Sequence, residues 1–282
     1  MTKLGIDIGA SHIGFGLYDS NKKELLEKKY IPYKRPLKIF LSVIFNKYYT
    51  QKYIRFLIKN IDEFIKDKKI NYIGIGCPGG VDINNGIFYG SKALVVGKID
   101  FKNELKKYNC NLYVDNDCNC AAVGEAISNK YQEFLMITIG TGVGFSIIKK
   151  DNKEILLSKD ETIWEILKIN KVPNTKHDKY IYSFKKLSKQ YNKDLPREAI
   201  FNDTNNTMEL INNYLDSFTK GLNLINNQIP IKNICIGGSF SSYHKYYLNN
   251  LKDKAKTYNI FIAKNTNDSG IIGACYLPIK RF

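Results

Sequence analysis

Apolar positions fall along this chain in two successive and similar blocks. Lys3–Ile8 is mostly apolar and stops at Gly9, Ile13–Tyr18 follows, and Glu24–Ile31 reads as a third strand, so the first thirty residues predict a β-meander. Residues 36–67 then carry helical spacing through Ile39, Val43, Ile54, Leu57, Ile58, Ile61, Phe64 and Ile65. Lys34–Lys52 reads either as an amphipathic helix or as a helix joined to a disordered loop. Tyr72–Gly76 predicts a buried strand running into Cys77-Pro78-Gly79-Gly80, and Val81–Phe88 a hairpin that turns at Asn84-Asn85-Gly86. Phe101–Tyr108 is a short helix, Leu112–Val114 a strand ending at Asp115-Asn116-Asp117, and Cys118–Ser128 a helix of small residues.

The second block opens like the first. Phe134–Ile139 turns at Gly140-Thr141-Gly142-Val143-Gly144 and returns through Phe145–Ile148. Residues 160–200 are rich in lysine and give no clear element. Asn206–Asn227 predicts a long helix, Ile234–Ile236 a strand, Gly237-Gly238-Ser239 the opening of another helix, Ile260–Ile262 a strand and Ser269–Leu277 a closing helix. Meander, helices and strand thus occur twice, which predicts two α/β lobes of mixed sheet with a cleft between them.

A chain of 282 residues has room for one large or two smaller domains and needs neither disulfide nor metal to fold. With 44% hydrophobic and 25% charged residues, wholesale disorder is excluded. The N-terminus has no signal-peptide core and no apolar run is long enough to span a bilayer, so a cytoplasmic protein is expected, its six cysteines reduced. Cys118-x-Cys120 is weak as a metal motif, because no His or Cys partner stands at finger spacing; small residues packed in a helix explain it as well. The net charge is +16, and residues 22–69 hold 14 Lys/Arg against 5 Asp/Glu. Such a surface can bind nucleic acid or an anionic membrane, but no helix-turn-helix or zinc-finger pattern accompanies it, and a solvated lysine-rich face is the plainer reading.

Four places carry candidate chemistry, and each has a plain alternative. Asp7-Ile8-Gly9-Ala10-Ser11 is either a bland hairpin turn or a turn whose backbone amides meet a phosphate while Asp7 orients hydrated Mg²⁺. Gly140-Thr141-Gly142-Val143-Gly144 is either a glycine-rich hairpin or a second phosphate clamp. It is neither a P-loop nor a dinucleotide fingerprint, since it lacks the Lys and is followed by a strand. Gly237-Gly238-Ser239 is either a tight strand–helix turn or a cover for adenosine. Asp115-Asn116-Asp117 either caps the following helix through Asp117 or binds a hydroxyl and takes its proton.

Taken in order, these pieces resemble the ROK family (repressor, open reading frame, kinase) of the sugar kinase/actin/Hsp70 superfamily. The resemblance rests on Gly5-Ile6-Asp7-Ile8-Gly9-Ala10-Ser11, Gly76-Cys77-Pro78-Gly79-Gly80-Val81-Asp82, Asp115-Asn116-Asp117-Cys118-Asn119-Cys120-Ala121-Ala122, Ile137–Gly144 and Ile236-Gly237-Gly238-Ser239, with Gly270–Ala274 similar to the family's last helix. It implies an α/β fold of two ribonuclease-H-like (actin-like ATPase) lobes with mixed sheets flanking a cleft. The N-terminal lobe is expected at 1–114, completed by the C-terminal helix at 268–282, and the C-terminal lobe at 115–267. It implies an ATP-dependent sugar kinase acting on a hexose or hexose derivative, with ATP and Mg²⁺ as cofactors. Asp7, Gly9, Ala10 and Ser11 would face the phosphates, Asp7 holding Mg²⁺ through water. Thr138, Gly140, Thr141 and Gly142 would form the second phosphate loop, and Gly237 and Gly238 would lie near adenosine. Gly79, Asn116 and Asp117 would face the sugar, with Asp117 as general base. A homo-oligomer, such as a dimer, is common in the family.

The chain departs from the family on the sugar side. The usual Gly-Glu-x-Gly-His segment has its nearest counterpart in Asp160-Glu161-Thr162-Ile163-Trp164, where Glu161 replaces the Glu and Trp164 stands in place of His. The cysteine-rich zinc segment has no counterpart, and His177 stands alone, so no structural zinc is expected. The Asn-Leu sugar contact aligns with Ser91-Lys92-Ala93-Leu94, where Lys92 is either a surface residue or a hint of an anionic ligand. The family's N-terminal DNA-binding domain is expected to be absent, so neither nucleic acid nor membrane is an expected partner. Three functions compete: a sugar kinase, a catalytically impaired nucleotide- or sugar-binding relative, and a polyanion binder acting through residues 22–69. Sugar-dependent ADP formation, binding without turnover, and strongly salt-dependent polyanion binding tell them apart.

Overall fold

In the computed structural model, the described residues are 2–33, 46–66, 68–91, 94–151, 154–159, 163, 166, 180–181 and 183–282. They form two compact units: Met1–Ile127 with Asn267–Ile279, and Ser128–Thr266 with Lys280–Phe282. The expected lobe boundary after residue 114 therefore lies inside the first unit. The physical reason is the strand Asn111–Asn116, which pairs in parallel with Tyr72–Cys77 and carries the next helix with it. The expected C-terminal helix at 268–282 is shorter, Ser269–Ala274, and the chain ends on a strand, Lys280–Arg281, that pairs with Glu154–Leu157 of the second unit.

The first unit is built on β1 (Thr2–Ile8), β2 (His12–Asp19), β3 (Glu24–Pro32), β4 (Tyr72–Cys77) and β8 (Asn111–Asn116), in the order β3-β2-β1-β4-β8. The meander pairs antiparallel, and β1, β4 and β8 run parallel. A small sheet of β5 (Val81–Asp82), β6 (Ile87–Phe88) and β7 (Ile99–Asp100) forms the expected hairpin and adds one strand. Helix α1 (Asn46–Ile65) buries Tyr53, Ile54, Leu57, Ile61, Phe64 and Ile65, one stripe at helical spacing, and these join Leu4, Ile6, Phe15 and Ile75 in one core. Of the expected 36–67 helix, residues 36–45 and 67 lie outside the described residues. The expected helix at 101–108 divides into α2 (Phe101–Glu104), capped by the Asp100 side chain, and a 3₁₀ turn, Lys106–Tyr108, that ends where Asn109 turns left-handed.

The second unit repeats the plan. Strands β9 (Glu133–Ile139), β10 (Val143–Asp151), β11 (Glu154–Leu157), β12 (Asn233–Gly237), β13 (Asn259–Ile262) and β14 (Lys280–Arg281) take the order β13-β12-β9-β10-β11-β14. Apart from β14, the order is that of the first sheet: an antiparallel meander on one side of the first strand and two parallel strands on the other. Helices α4 (Phe184–Tyr191) and α5 (Ala199–Asn202) occupy part of the stretch that gave no clear element. Helix α6 (Thr204–Asn226) packs Tyr214, Leu215, Phe218, Leu222 and Ile225 on Leu135, Ile137, Ile234 and Ile236. The segment after Gly237-Gly238 begins as a 3₁₀ turn, Ser241–Tyr246, before α7 (Leu248–Lys254).

Helices α3 (Asp117–Ser128) and α8 (Ser269–Ala274) complete the first unit. Cys118 and Cys120 are buried on α3, as packing residues are. The Ser269 hydroxyl donates to Glu125 Oε1 at 2.5 Å, and both residues are fully buried. The Tyr72 hydroxyl lies 2.8 Å from the carbonyls of both Ala274 and Leu277, tying β4 to the end of α8.

Candidate active site

Three carboxylates of the first unit converge where β1, β8 and α3 meet. Asp7 is the penultimate residue of β1, Asp115 lies near the end of β8, and Asp117 opens α3. Asp115 is buried and structural: its Oδ1 accepts from the Asn116 amide at 2.7 Å and from Asn119 Nδ2 at 2.9 Å. Asp7 and Asp117 are half-buried and neither is held in an ion pair among the described residues. Burial pushes the Asp117 carboxyl up to about 7, against the pull of the Cys118 amide. Burial also pushes Asp7 up to about 7, and the like charge of Asp117 adds to it. The thiols of Cys77 and Cys120 are raised far above their ordinary range, first by burial and then by these acids.

Asn116 occupies the capping position of α3: its Oδ1 accepts from the Cys118 amide at 2.9 Å, and its Nδ2 donates to the Gly79 carbonyl at 3.1 Å. Asp117 shares the same Cys118 amide at 2.9 Å, one position further along the helix. Asn116 thus serves as the cap, and Asp117 is not needed for it. Gly79, exposed, has φ +140, a conformation that a side chain would strain. These contacts join Gly79, Asn116 and Asp117 in one cluster.

The β1–β2 turn closes on itself through the Gly9 amide, which donates to the His12 carbonyl at 2.9 Å. Main-chain N–H groups of Ala10 and Ser11 are left without partners among the described residues. The β9–β10 turn repeats the device: the Gly140 amide donates to the Gly142 carbonyl at 2.9 Å and leaves the amides of Thr141 and Gly142 without partners among the described residues. Unpaired amides at the tip of a short turn form a concavity suited to anions. Thr138 is the penultimate residue of β9, two residues before Gly140, and is half-buried.

Gly237 ends β12 and Gly238 turns left-handed at φ +75; a Cβ there would lie 2.6 Å from the Ile139 carbonyl. The adjoining Phe240 amide donates to that carbonyl at 3.0 Å, so this turn is fastened to the end of β9. Thr138, Gly140, Thr141, Gly142, Gly237 and Gly238 therefore lie at one end of the second unit's sheet.

Three residues escaped the sequence reading. Arg197 Nη2 donates to Thr141 Oγ1 at 2.9 Å, and the Lys185 amide, in the first turn of α4, donates to the Gly140 carbonyl at 3.2 Å. His12 Nδ1 lies 3.3 Å from Ser11 Oγ, and burial lowers its pKa. No sequence signal marks Arg197, since the contact spans 56 positions and the residue lies in no motif. Glu161, Trp164, His177 and Lys92 lie outside the described residues. Among the described residues, no group of three or more His, Cys, Asp or Glu side chains is placed to hold a metal ion directly. No described helix is long and apolar enough to cross a membrane.

The chain is similar to several known proteins. N-acetyl-D-glucosamine kinase of Citrobacter koseri is 24% identical over 148 residues, 51% of this chain and 45% of that protein. The corresponding kinase of Escherichia coli O139:H28 is 25% identical over the same length. The matched segment therefore spans about half the length of these relatives. Among solved structures, a ROK family glucokinase from Streptomyces griseus in complex with glucose and AMPPNP superposes with a TM-score of 0.76 at 16% identity, covering 98% of this chain and 99% of that one. A ROK hexokinase from Thermus thermophilus gives 0.70 at 16%, covering 98% and 97%. The fold is that of the actin-like sugar kinases. The ROK family pattern itself matches residues 3–155, from β1 through both turns and α3, and this chain belongs to the ROK family.

Proposed function

We propose that the chain is an ATP-dependent kinase that phosphorylates a hydroxyl of a hexose or hexose derivative, with Asp117 as its general base. The observation that carries this reading is the Asp117 carboxylate: half-buried, raised to about 7, outside any ion pair among the described residues, and beside an Asn116 clamped to Gly79. A base with that affinity accepts a hydroxyl proton near neutral pH, where about half of it is ionised.

In the proposed step the sugar oxygen forms a bond to the γ-phosphorus. The bond from that phosphorus to the β–γ bridging oxygen breaks, and ADP leaves with the electron pair. The hydroxyl proton passes to an Asp117 Oδ. Asn116 and Gly79 orient the sugar, with Glu161 a further sugar ligand on the family resemblance. Amides of Ala10, Ser11, Thr141 and Gly142 receive phosphate oxygens, and Gly9, Thr138 and Gly140 shape the two turns. Gly237 and Gly238 bring backbone close to the adenosine. Asp7 fits Mg²⁺ held through its water shell: it is a hard oxygen donor without a protein counter-ion among the described residues, and Asp117 adds negative charge beside it. When bound, that ion supplies charge neutralisation to the phosphates.

The test is ADP release from ATP with Mg²⁺ against hexoses, N-acetylated hexosamines and amino sugars. Sugar-stimulated release that falls roughly 10²–10⁴-fold in Asp117→Asn supports the kinase and its base. ATP binding with no stimulation by any sugar would instead support a catalytically impaired relative, a reading favoured by the altered sugar-side segment around Trp164. Turnover unchanged in Asp117→Asn would remove the base assignment.

A further inference from the structure

Tyr30 has no part in the proposed reaction, yet its place in the first sheet sets it in line with the Asp7 carboxylate. Asp7 on β1 faces Gly14 on β2, and Gly14 faces Tyr30 on β3. Residues directly opposite on neighbouring strands share a face of the sheet, so the three form one row on one side. Because the middle position is glycine, the Tyr30 ring lies across it. A Cβ on Gly14 would fall 2.9 Å from Tyr30 Cε1 and 2.9 Å from Ile271 Cδ1 of α8. Tyr30 and α8 therefore meet over Gly14.

The Tyr30 hydroxyl ends on the start of α8. It donates to Asp268 Oδ1 at 2.5 Å, and Lys28 Nζ, from the same strand, donates to Oδ2 at 2.7 Å. Asp268 occupies the capping position of α8, yet its side chain makes no capping bond. A carboxylate at that position ordinarily accepts from its own helix; this one is turned to β3. Two residues on, the Gly270 backbone is packed on Asp7: a Cβ there would lie 2.6 Å from Asp7 Cγ and 2.9 Å from Oδ1. The first turn of α8 is thus fixed at Asp268 by Tyr30 and bears on Asp7 at Gly270. Burial, the bond to Asp268 and the charges of Asp268 and Asp7 all raise the Tyr30 pKa, so the hydroxyl stays a neutral donor. The same ring reaches the β1–β2 turn, where the His12 imidazole meets it edge-on with centroids 5.9 Å apart.

We propose that Tyr30 is a positioning residue for Asp7. Through its hydroxyl and Asp268 it sets the first turn of α8, whose Gly270 backbone holds the Asp7 carboxylate in the orientation that receives hydrated Mg²⁺. The proposal rests on the reading of Asp7 as the residue that faces Mg²⁺. The hydrogen bond carries the effect and the charge of Asp268 does not, because Lys28 already pairs with that charge.

The test is calorimetric binding of AMPPNP to the whole chain, once with Mg²⁺ and once with EDTA. Tyr30→Phe keeps the ring over Gly14 and removes only the donor. It is expected to weaken binding about tenfold with Mg²⁺, as loss of a partner behind a metal-facing group does, and to leave the affinity in EDTA unchanged. Asp268→Ala is expected to do the same, and the double variant no more than either alone. Asp268→Asn keeps an acceptor oxygen and drops the charge, and is expected to stay within about twofold of wild type. Tyr72→Phe cuts the contacts at the other end of α8, and is expected to lower the urea midpoint without weakening the Mg²⁺-dependent binding. Wild-type affinity in Tyr30→Phe, Asp268→Asn as weak as Asp268→Ala, or Tyr72→Phe as weak as Tyr30→Phe would overturn the proposal and leave the proposed reaction standing. Wild-type binding that is the same with Mg²⁺ and with EDTA would overturn the reading of Asp7 and this proposal with it.

Discussion

Asp7 and Asp117 lie in surroundings that favour their neutral forms, and this has opposite consequences for stability and for chemistry. Each is raised from 3.8 to about 7 in the folded chain. Between those values the folded state holds more protons than the unfolded one, so their contribution to stability falls as pH rises through that window. Asp117→Asn is therefore expected to melt higher than wild type at pH 8, with the gap closing as pH falls toward about 4; scanning calorimetry across pH reads it. Turnover runs the other way. The base must be ionised, so kcat/KM for the sugar is expected to rise with pH through about 7, and a profile flat from pH 5 to 8 would argue against Asp117. The Asp-Asn-Asp run made this site legible in the sequence because a strand end meeting a helix start places three side chains together. Arg197 was not legible, since only the folded chain brings it to Thr141. Its guanidinium beside the amides of the β9–β10 turn is expected to orient the triphosphate. Arg197→Ala should raise KM for ATP about tenfold, with Lys recovering only part of it, because a charge without the planar fork loses the Thr141 contact geometry.

At the scale of elements, α8 sets how closely helix and strand approach. A Cβ on Gly270 would lie 2.6 Å from Asp7 Cγ, so the helix backbone itself supports the carboxylate. Gly270→Ala is expected to displace Asp7 and to cost about 1–3 kcal/mol of stability, as overpacking does. Ser269→Ala leaves a fully buried Glu125 oxygen without its 2.5 Å donor, at a cost of similar size. Urea unfolding of the two variants separates the effects: both are expected to lower the midpoint, but Gly270→Ala should also reduce ATP turnover out of proportion. The three strands of the first meander and the first two of the second were readable because their apolar runs are bounded by glycine and polar turns, whereas β11 (Glu154–Leu157) was not expected. Shorter elements were not readable either. The two-residue β14 has no period to detect, and the helix expected over 101–108 changes type at Leu105 and ends where Asn109 adopts φ 45.

For the molecule as a whole, the duplicated sheet order explains why the chain reads as the same sentence twice, and the chain's path explains what each half needs. The order β3-β2-β1-β4-β8 recurs as β11-β10-β9-β12-β13, each with a glycine turn after its first strand. The basic segment fits this plan without a polyanion: β3 is an edge strand, and exposed Lys28 and Lys29 on it, with Lys22 and Lys23 in the turn before it, discourage pairing with another chain. The return of the chain to the first lobe was expected from the sequence, but the point where the first unit breaks off was not, because β8 and α3 stay with the first unit and carry it to Ile127 before it takes back residues 267–279. That return is structural. Lys3 Nζ donates to the Cys275 carbonyl at 2.7 Å, Tyr72 holds the end of α8, and Ile271 and Ala274 are fully buried. A chain ended at Thr266 therefore removes the packing of β1 and β4 but takes only β14 from the second sheet, at its edge. Hydrogen exchange on that shortened chain is expected to show loss of protection in β1, β2 and β4 while β9 and β12 stay protected. Equal loss in both sheets would mean that the two units fold as one cooperative body, and unchanged protection in β1 and β4 would mean that α8 contributes little to the first core.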